Sequence, residues 1–178
     1  DEIGDFVSMG MQKALFGSNG ISFLGISSRG MNWLRENPAA PAHSVLSIPE
    51  LFDLEARDVP PFLSVLESRD ALRAFAEIEA AGGMEALVAR HREMAERVRR
   101  QVKELGYELF QKKEADCTDL NTAVKLPETE EAKAFVRKGI VACGDFEMKG
   151  RLLRINHYGE HCTEEDTAEA MDILKALL

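Results

Sequence analysis

Cysteine is scarce in this 178-residue chain: Cys117, Cys143 and Cys162 are far apart and odd in number. That excludes a disulfide scaffold and points to a reducing, cytoplasmic compartment. Positive charge is also short. Lys and Arg number 22 against 31 Asp and Glu, a net charge of −9, so a polyanion finds no electrostatic footing and no nucleic-acid partner is expected. Long apolar runs are missing as well, and no charged-then-apolar signal segment opens the sequence, so no membrane partner is expected. What is present is 45% apolar residues, enough for one good core, or for one small domain and a piece of another.

The most informative stretch lies early. Phe6 and Val7 begin a short apolar run that reads as the end of a buried strand. A small-residue segment around Gly10 follows, then Gln12 and Lys13, a turn over residues 17–20, and a second apolar run over residues 21–26. The order is strand, lysine-bearing loop, tight turn, strand. An ammonium held between buried strands loses hydration, and a neutral amine in a pocket is what Schiff-base chemistry requires. On the local pattern alone, a loop lysine reaching water is the simpler reading.

Further along, residues 28–36 suit a short helix with Ser28 as cap and Trp33 in a core or an interface. Residues 37–43 form a loop, because Pro38 and Pro41 interrupt either kind of pairing. Residues 44–54 are too mixed to assign. A helix is expected from Pro61, with Leu63, Leu66, Ala71, Ala74, Phe75 and Ile78 on its apolar face, ending at Gly82 and Gly83. The strongest periodicity runs from Met84 to Leu105, through Leu87, Val88, His91, Met94, Ala95, Val98 and Val102. Arg90, Arg92, Arg97, Arg99 and Arg100 alternate with Glu93, Glu96 and Glu104, which reads as a solvated face, and Gly106 is a stop. Strands are expected over residues 107–111, 120–126, 140–143 and 151–157, with a helix over residues 129–138 and a turn over 144–150. Thr163 caps a last helix whose apolar face runs through Ala168, Met171, Leu174 and Leu178. Strands and helices in this order make an α+β layer.

Two segments carry a resemblance. Val7, Ser8, Met9, Gly10, Met11, Gln12, Lys13, Ala14 and Leu15 resemble the pyridoxal-phosphate lysine segment of the class V, fold-type I aminotransferases, in the alanine–glyoxylate/serine–pyruvate branch. Met9 and Met11 stand where that family usually has serines. Leu153, Arg154, Ile155, Asn156, His157, Tyr158 and Gly159 resemble the family's second motif, with Asn156 replacing a glycine. The block over residues 83–110 is similar to its first small-domain helix and strand. Near Pro60 and Pro61 the sequence lacks the family's threonines, leaving Ser64 as a candidate for the phosphate contact.

The resemblance implies an α/β fold-type I fragment: residues 1–81 a remnant of the cofactor-binding large-domain sheet, and 82–178 the small C-terminal α+β domain. It implies pyridoxal 5'-phosphate as cofactor, Lys13 as catalytic and cofactor-holding residue, Gln12 as a cofactor contact, and Arg154 as the clamp on the substrate carboxylate. It also implies a small amino acid and a 2-oxo acid as substrates, ping-pong transamination, and a homodimer. The family's residues for the pyridine nitrogen and main phosphate loop lie before the lysine, so the chain is expected to be a C-terminal portion. Gln12 speaks against the cysteine desulfurases, which usually have histidine at that position. Three rivals stand beside this reading: for Arg154, a pairing with a protein acid; for His157, His161 and Cys162, a metal site, which the turn around Gly159 disfavours; and for the whole chain, a non-catalytic interaction module.

Overall fold

The computed structural model describes residues 4–44, 46–55, 64–126, 141–143 and 151–176. In chain order they form β1 (Phe6–Gly10), β2 (Ser22–Ile26), α1 (Ser28–Glu36), α2 (Ile48–Glu55), α3 (Val65–Ala80), α4 (Gly83–Glu104), β3 (Asn121–Lys125), β4 (Val141–Cys143), β5 (Leu152–Asn156) and α5 (Glu164–Lys175). Two compact units result, Asp1–Phe75 and Ala76–Leu178, with the division falling inside α3.

In the first unit β1 and β2 pair antiparallel, from Phe6 opposite Ile26 to Gly10 opposite Ser22. The strand–loop–turn–strand order is therefore as expected. The burial is not: Phe6 and Val7 are 44% and 45% exposed, because these two strands pair only with each other among the described residues. The cap of α1 is Ser27, one residue before the expected Ser28. Ser27 is extended, and its Oγ accepts from the Gly30 N–H at 3.0 Å, the reach an N-cap needs. The same hydroxyl donates to Asp5 Oδ1 at 2.5 Å, and Arg29 Nη2 lies 2.9 Å from Asp5 Oδ2. Trp33 meets Phe6 edge-on, with ring centroids 6.2 Å apart, and stays exposed. Helix α2 occupies the stretch whose sequence was too mixed to assign. In α3, Ala71 and Ala74 are buried as expected but Leu66 is exposed; the expected start at Pro61, with Leu63, lies outside the described residues. Phe75 packs edge-on against Phe23 at 5.5 Å.

The second unit is built on α4. Leu87, His91, Met94, Ala95, Val98 and Val102 are buried along the expected stripe, whereas Met84 and Val88, in its first two turns, are exposed. Gly106 ends the helix at φ 88°, with its N–H on Lys103 O at 2.9 Å and that of Tyr107 on Val102 O at 3.2 Å. Those two bonds satisfy the last carbonyls in the Schellman arrangement that a glycine permits. The strand expected over residues 107–111 reduces to one bridge, Leu109 opposite Val124. The Tyr107 ring is drawn into the core instead, its hydroxyl donating to Leu174 O at 2.8 Å.

The sheet is antiparallel in the order β3-β5-β4. Val124, Leu153 and Ile155 pack with Met94, Val98 and Val102 of α4 and with Ala170, Met171 and Leu174 of α5. Thr163 caps α5, accepting from the Asp166 N–H at 3.1 Å. The buried face of α5 runs through Thr167, Ala170, Met171, Ile173 and Leu174, with Ala168 exposed; an alanine is too small to fix the phase of a helix by its own burial. The helix expected over 129–138, the turn over 144–150, and Leu178 lie outside the described residues.

Candidate active site

Lys13 stands on the loop that leaves β1. Its neighbours in sequence divide cleanly: Met11 and Leu15 are buried, while Gln12 and Lys13 are exposed. The desolvation expected of a lysine between buried strands is thus not supplied by the described residues. The loop itself is closely built. Gly17 donates to Met11 O at 3.0 Å, and a Cβ on Gly17 would fall 2.7 Å from Met11 Cβ, so only glycine lets the chain close over that methionine. A Cβ on Gly10 would collide with the Gln12 amide, which places that amide over the end of β1. Phe16 sits between at φ 62°, a left-handed conformation that costs a bulky residue about 1–3 kcal/mol.

Beyond the loop, the turn meets α3. The Ser18 N–H donates to Asp70 Oδ2 at 2.6 Å, and Arg73 Nη2 lies 2.9 Å from Asp70 Oδ1. These partners, Arg73 foremost, hold the Asp70 carboxyl below its ordinary range. A Cβ on Gly20 would strike the Glu67 side chain. The Ser64 hydroxyl, a candidate for a phosphate contact, bonds Glu67 Oε2 instead.

Arg154 occupies β5, the middle strand. Leu153 and Ile155 on either side point into the core, so alternation puts Arg154 on the other face. Its register partners are Ala123 on β3 and Ala142 on β4, neither of them an acid. Its Nε is buried without a hydrogen-bond partner, and among the described residues no carboxylate forms an ion pair with it. Among the described residues, the alternative in which a protein acid neutralises Arg154 finds no support.

No family model matches the chain. A pyridoxamine–pyruvate transaminase of Mesorhizobium japonicum is 30% identical over 162 residues, covering 87% of this chain and 41% of its own length. The small subunit of a soluble hydrogenase of Synechococcus sp. is 27% identical over all of this chain and 47% of its own. Among solved structures, a pyridoxamine–pyruvate aminotransferase of Mesorhizobium loti superposes with a TM-score of 0.83 at 27% identity, over 97% of this chain and 46% of that one. An alanine–glyoxylate aminotransferase of Nostoc sp. gives 0.83 at 22% identity, over 97% and 48%.

The fold is that of the class V, fold-type I aminotransferases. The chain spans about half the length of the relatives it matches.

Two groups on this fold offer ligand chemistry: an amine that can condense with an aldehyde and a guanidinium that can pair with a carboxylate. Lys13 offers a primary amine on an exposed loop, with the Gln12 amide and the partnerless Ser18 Oγ in the same segment. Arg154 offers a buried guanidinium nitrogen with its hydrogen bond unmade. Two open clefts, of about 570 Å³ under Leu24, Met31 and Phe52 and about 740 Å³ beside Tyr107 and Lys112, include neither residue.

Sequence reasoning named the histidines of this unit but missed their partners, and it missed the burial of Arg99. Arg99, expected in solvent, is buried and lies 3.2 Å from Glu114 Oε1 and 3.8 Å from Asp119 Oδ1. His91 Nε2 accepts from the Gly159 N–H at 3.2 Å, which leaves its proton on Nδ1 to be donated to Leu87 O at 2.7 Å. His157 Nε2 lies 2.9 Å from Thr122 Oγ1, and burial pushes its pKa down to about 4. His161 contacts Asp166 Oδ2 at 3.1 Å. Among the described residues no group of three or more potential ligands gathers around a metal position, and none of their helices is long and apolar enough to cross a membrane. A strand arginine in a histidine-containing motif was visible in sequence; the pairing of that motif with His91, 68 residues earlier, carried no local signal.

Proposed function

We propose that the protein works as a pyridoxal-phosphate-dependent aminotransferase, moving an amino group between a small amino acid and a 2-oxo acid such as glyoxylate or pyruvate in ping-pong order, as a homodimer. The observation that carries this reading is Arg154: a half-buried guanidinium on a central strand, its Nε buried and unbonded, beside Ala123. A half-buried guanidinium in that condition suits an anion from outside, and its planar fork matches a carboxylate through two parallel hydrogen bonds.

The cofactor, when bound, supplies the electron sink for the bond broken at the substrate Cα. Lys13 Nζ holds it, and the released amine then takes the Cα proton. Gln12, the residue before Lys13, is assigned a cofactor contact. Arg154 holds the substrate by its carboxylate.

The test compares Arg154→Lys with wild type on an amino acid and on its decarboxylated amine. A point ammonium cannot reproduce the two parallel bonds, so kcat/KM for the amino acid should fall roughly 30- to 1000-fold, with a much smaller loss for the amine. Equal losses on both substrates would assign Arg154 to the fold or the cofactor. The pyridoxamine–pyruvate relatives support a second reading, in which pyridoxamine is the amino donor and Arg154 receives the carboxylate of pyruvate. Turnover of pyridoxamine with pyruvate, without added pyridoxal phosphate, would decide for it.

A further inference from the structure

We propose that Asp70 is a positioning residue for Lys13, acting through a clamp on the Ser18 amide. The inference rests on Lys13 being the cofactor-holding lysine.

The loop from Met11 to the turn at Gly20 contains a conformation that does not persist unaided. Phe16 is held at φ 62°, and strain of that kind survives where surrounding contacts over-determine the backbone. Two contacts do so here. Directly after Phe16, the Gly17 N–H closes back across the loop onto Met11 O at 3.0 Å, over the fully buried Met11 side chain. One residue further, the Ser18 N–H donates to Asp70 Oδ2 at 2.6 Å, a charge-assisted bond spanning 52 residues. Asp70 is itself fixed by Arg73, whose Nε and Nη2 lie 3.2 and 2.9 Å from Oδ1. One helical turn earlier, Glu67 lies against Gly20 and takes the Ser64 hydroxyl. On α3, therefore, Asp70 grips the turn that follows the lysine and Glu67 packs against it, while Met11 and Leu15 anchor the loop on both sides of the lysine. Lys13 and Gln12 are left exposed on a backbone held at both ends. A reactive amine on such a loop keeps its direction without being buried itself.

The test uses amide hydrogen exchange and borohydride fixation, in wild type, Asp70→Ala and Asp70→Asn. Loss of the Ser18 bond in Asp70→Ala should raise exchange over residues 11–20 about tenfold, with α4 unchanged. The fraction of Lys13 fixed by borohydride with pyridoxal phosphate, read by peptide mass spectrometry, should fall in parallel. Asp70→Asn keeps an oxygen that accepts from Ser18, and it should recover most of both signals. Unchanged exchange over residues 11–20, a rise shared equally by the whole chain, or an Asn variant no better than Ala would overturn the clamp. Wild type that is never fixed at Lys13 would instead remove the cofactor assignment and with it the purpose of the clamp, while the exchange data still report whether Asp70 holds the loop.

Discussion

The Gly159 N–H donates to His91 Nε2 at 3.2 Å, joining the end of the Arg154 motif to the middle of α4. Gly159 is buried at φ 61°, so this amide has no recourse to water. Replacing His91 by Leu keeps an apolar body but removes the acceptor. A stability loss of about 1–3 kcal/mol is expected from urea unfolding, the cost of a buried donor left unmade. A loss under about 0.5 kcal/mol would show that the backbone shifts to find another partner.

His157 makes the second unit sensitive to acid. Burial is the main cause of its folded pKa of about 4, against an ordinary 6.5. The unfolded chain therefore binds the proton more readily than the folded one. The stabilisation is complete above pH 6.5 and is lost as pH falls from there through about 4. That window is worth about 3 kcal/mol. Urea unfolding between pH 7 and 4 should show the decline in wild type and a shallower one in His157→Gln. Parallel profiles would assign the acid sensitivity elsewhere, with His91, also lowered mainly by burial, as the first candidate.

Gly30 and Gly106 should respond to alanine for different reasons. At Gly30 a Cβ would come 2.7 Å from Asp5 O and 3.2 Å from Asp5 Cβ. Backbone cannot yield cheaply, so Gly30→Ala should cost about 1–3 kcal/mol despite a helix propensity gain of up to about 1 kcal/mol. Gly106 has nothing within 4 Å, but its φ of +88° disfavours any L side chain, at about 1–2 kcal/mol for alanine. Asparagine tolerates that region and should restore part of the loss at position 106, and none at position 30. The check is thermal unfolding of the four variants, and rescue by Asn at both sites would refute the steric account of Gly30.

On the function proposed, Lys13→Ala should abolish transamination, because that reading assigns the covalent anchor and the proton carrier to the same amine. Cofactor should still bind without being fixed by borohydride. Residual turnover that survives with a second lysine becoming labelled would move the catalytic assignment away from Lys13.

Much of this protein is decided by local sequence. The Gly-bounded apolar runs around Lys13 dictate a strand–loop–strand unit, the three- and four-residue steps from Leu87 to Val102 dictate α4, and Gly106 and Thr163 mark where helices stop and start. Each is a backbone preference or a periodicity that acts within a few residues, and the chemistry of an amine and a guanidinium is likewise carried by single side chains. What required tertiary structure are the relationships between distant residues of similar local appearance. Arg99 looks like Arg97 and Arg100 along the chain, yet it is buried because Glu114 and Asp119 meet it there. Ser27 rather than Ser28 caps α1 because Asp5 lies within reach of its hydroxyl. Residues 107–111 have the composition of a strand, but the pull of Tyr107 toward Leu174 O limits their pairing to one bridge. The hold of Asp70 on the lysine loop is of the same kind: 52 residues separate the partners, and only the folded backbone brings a carboxylate to that amide.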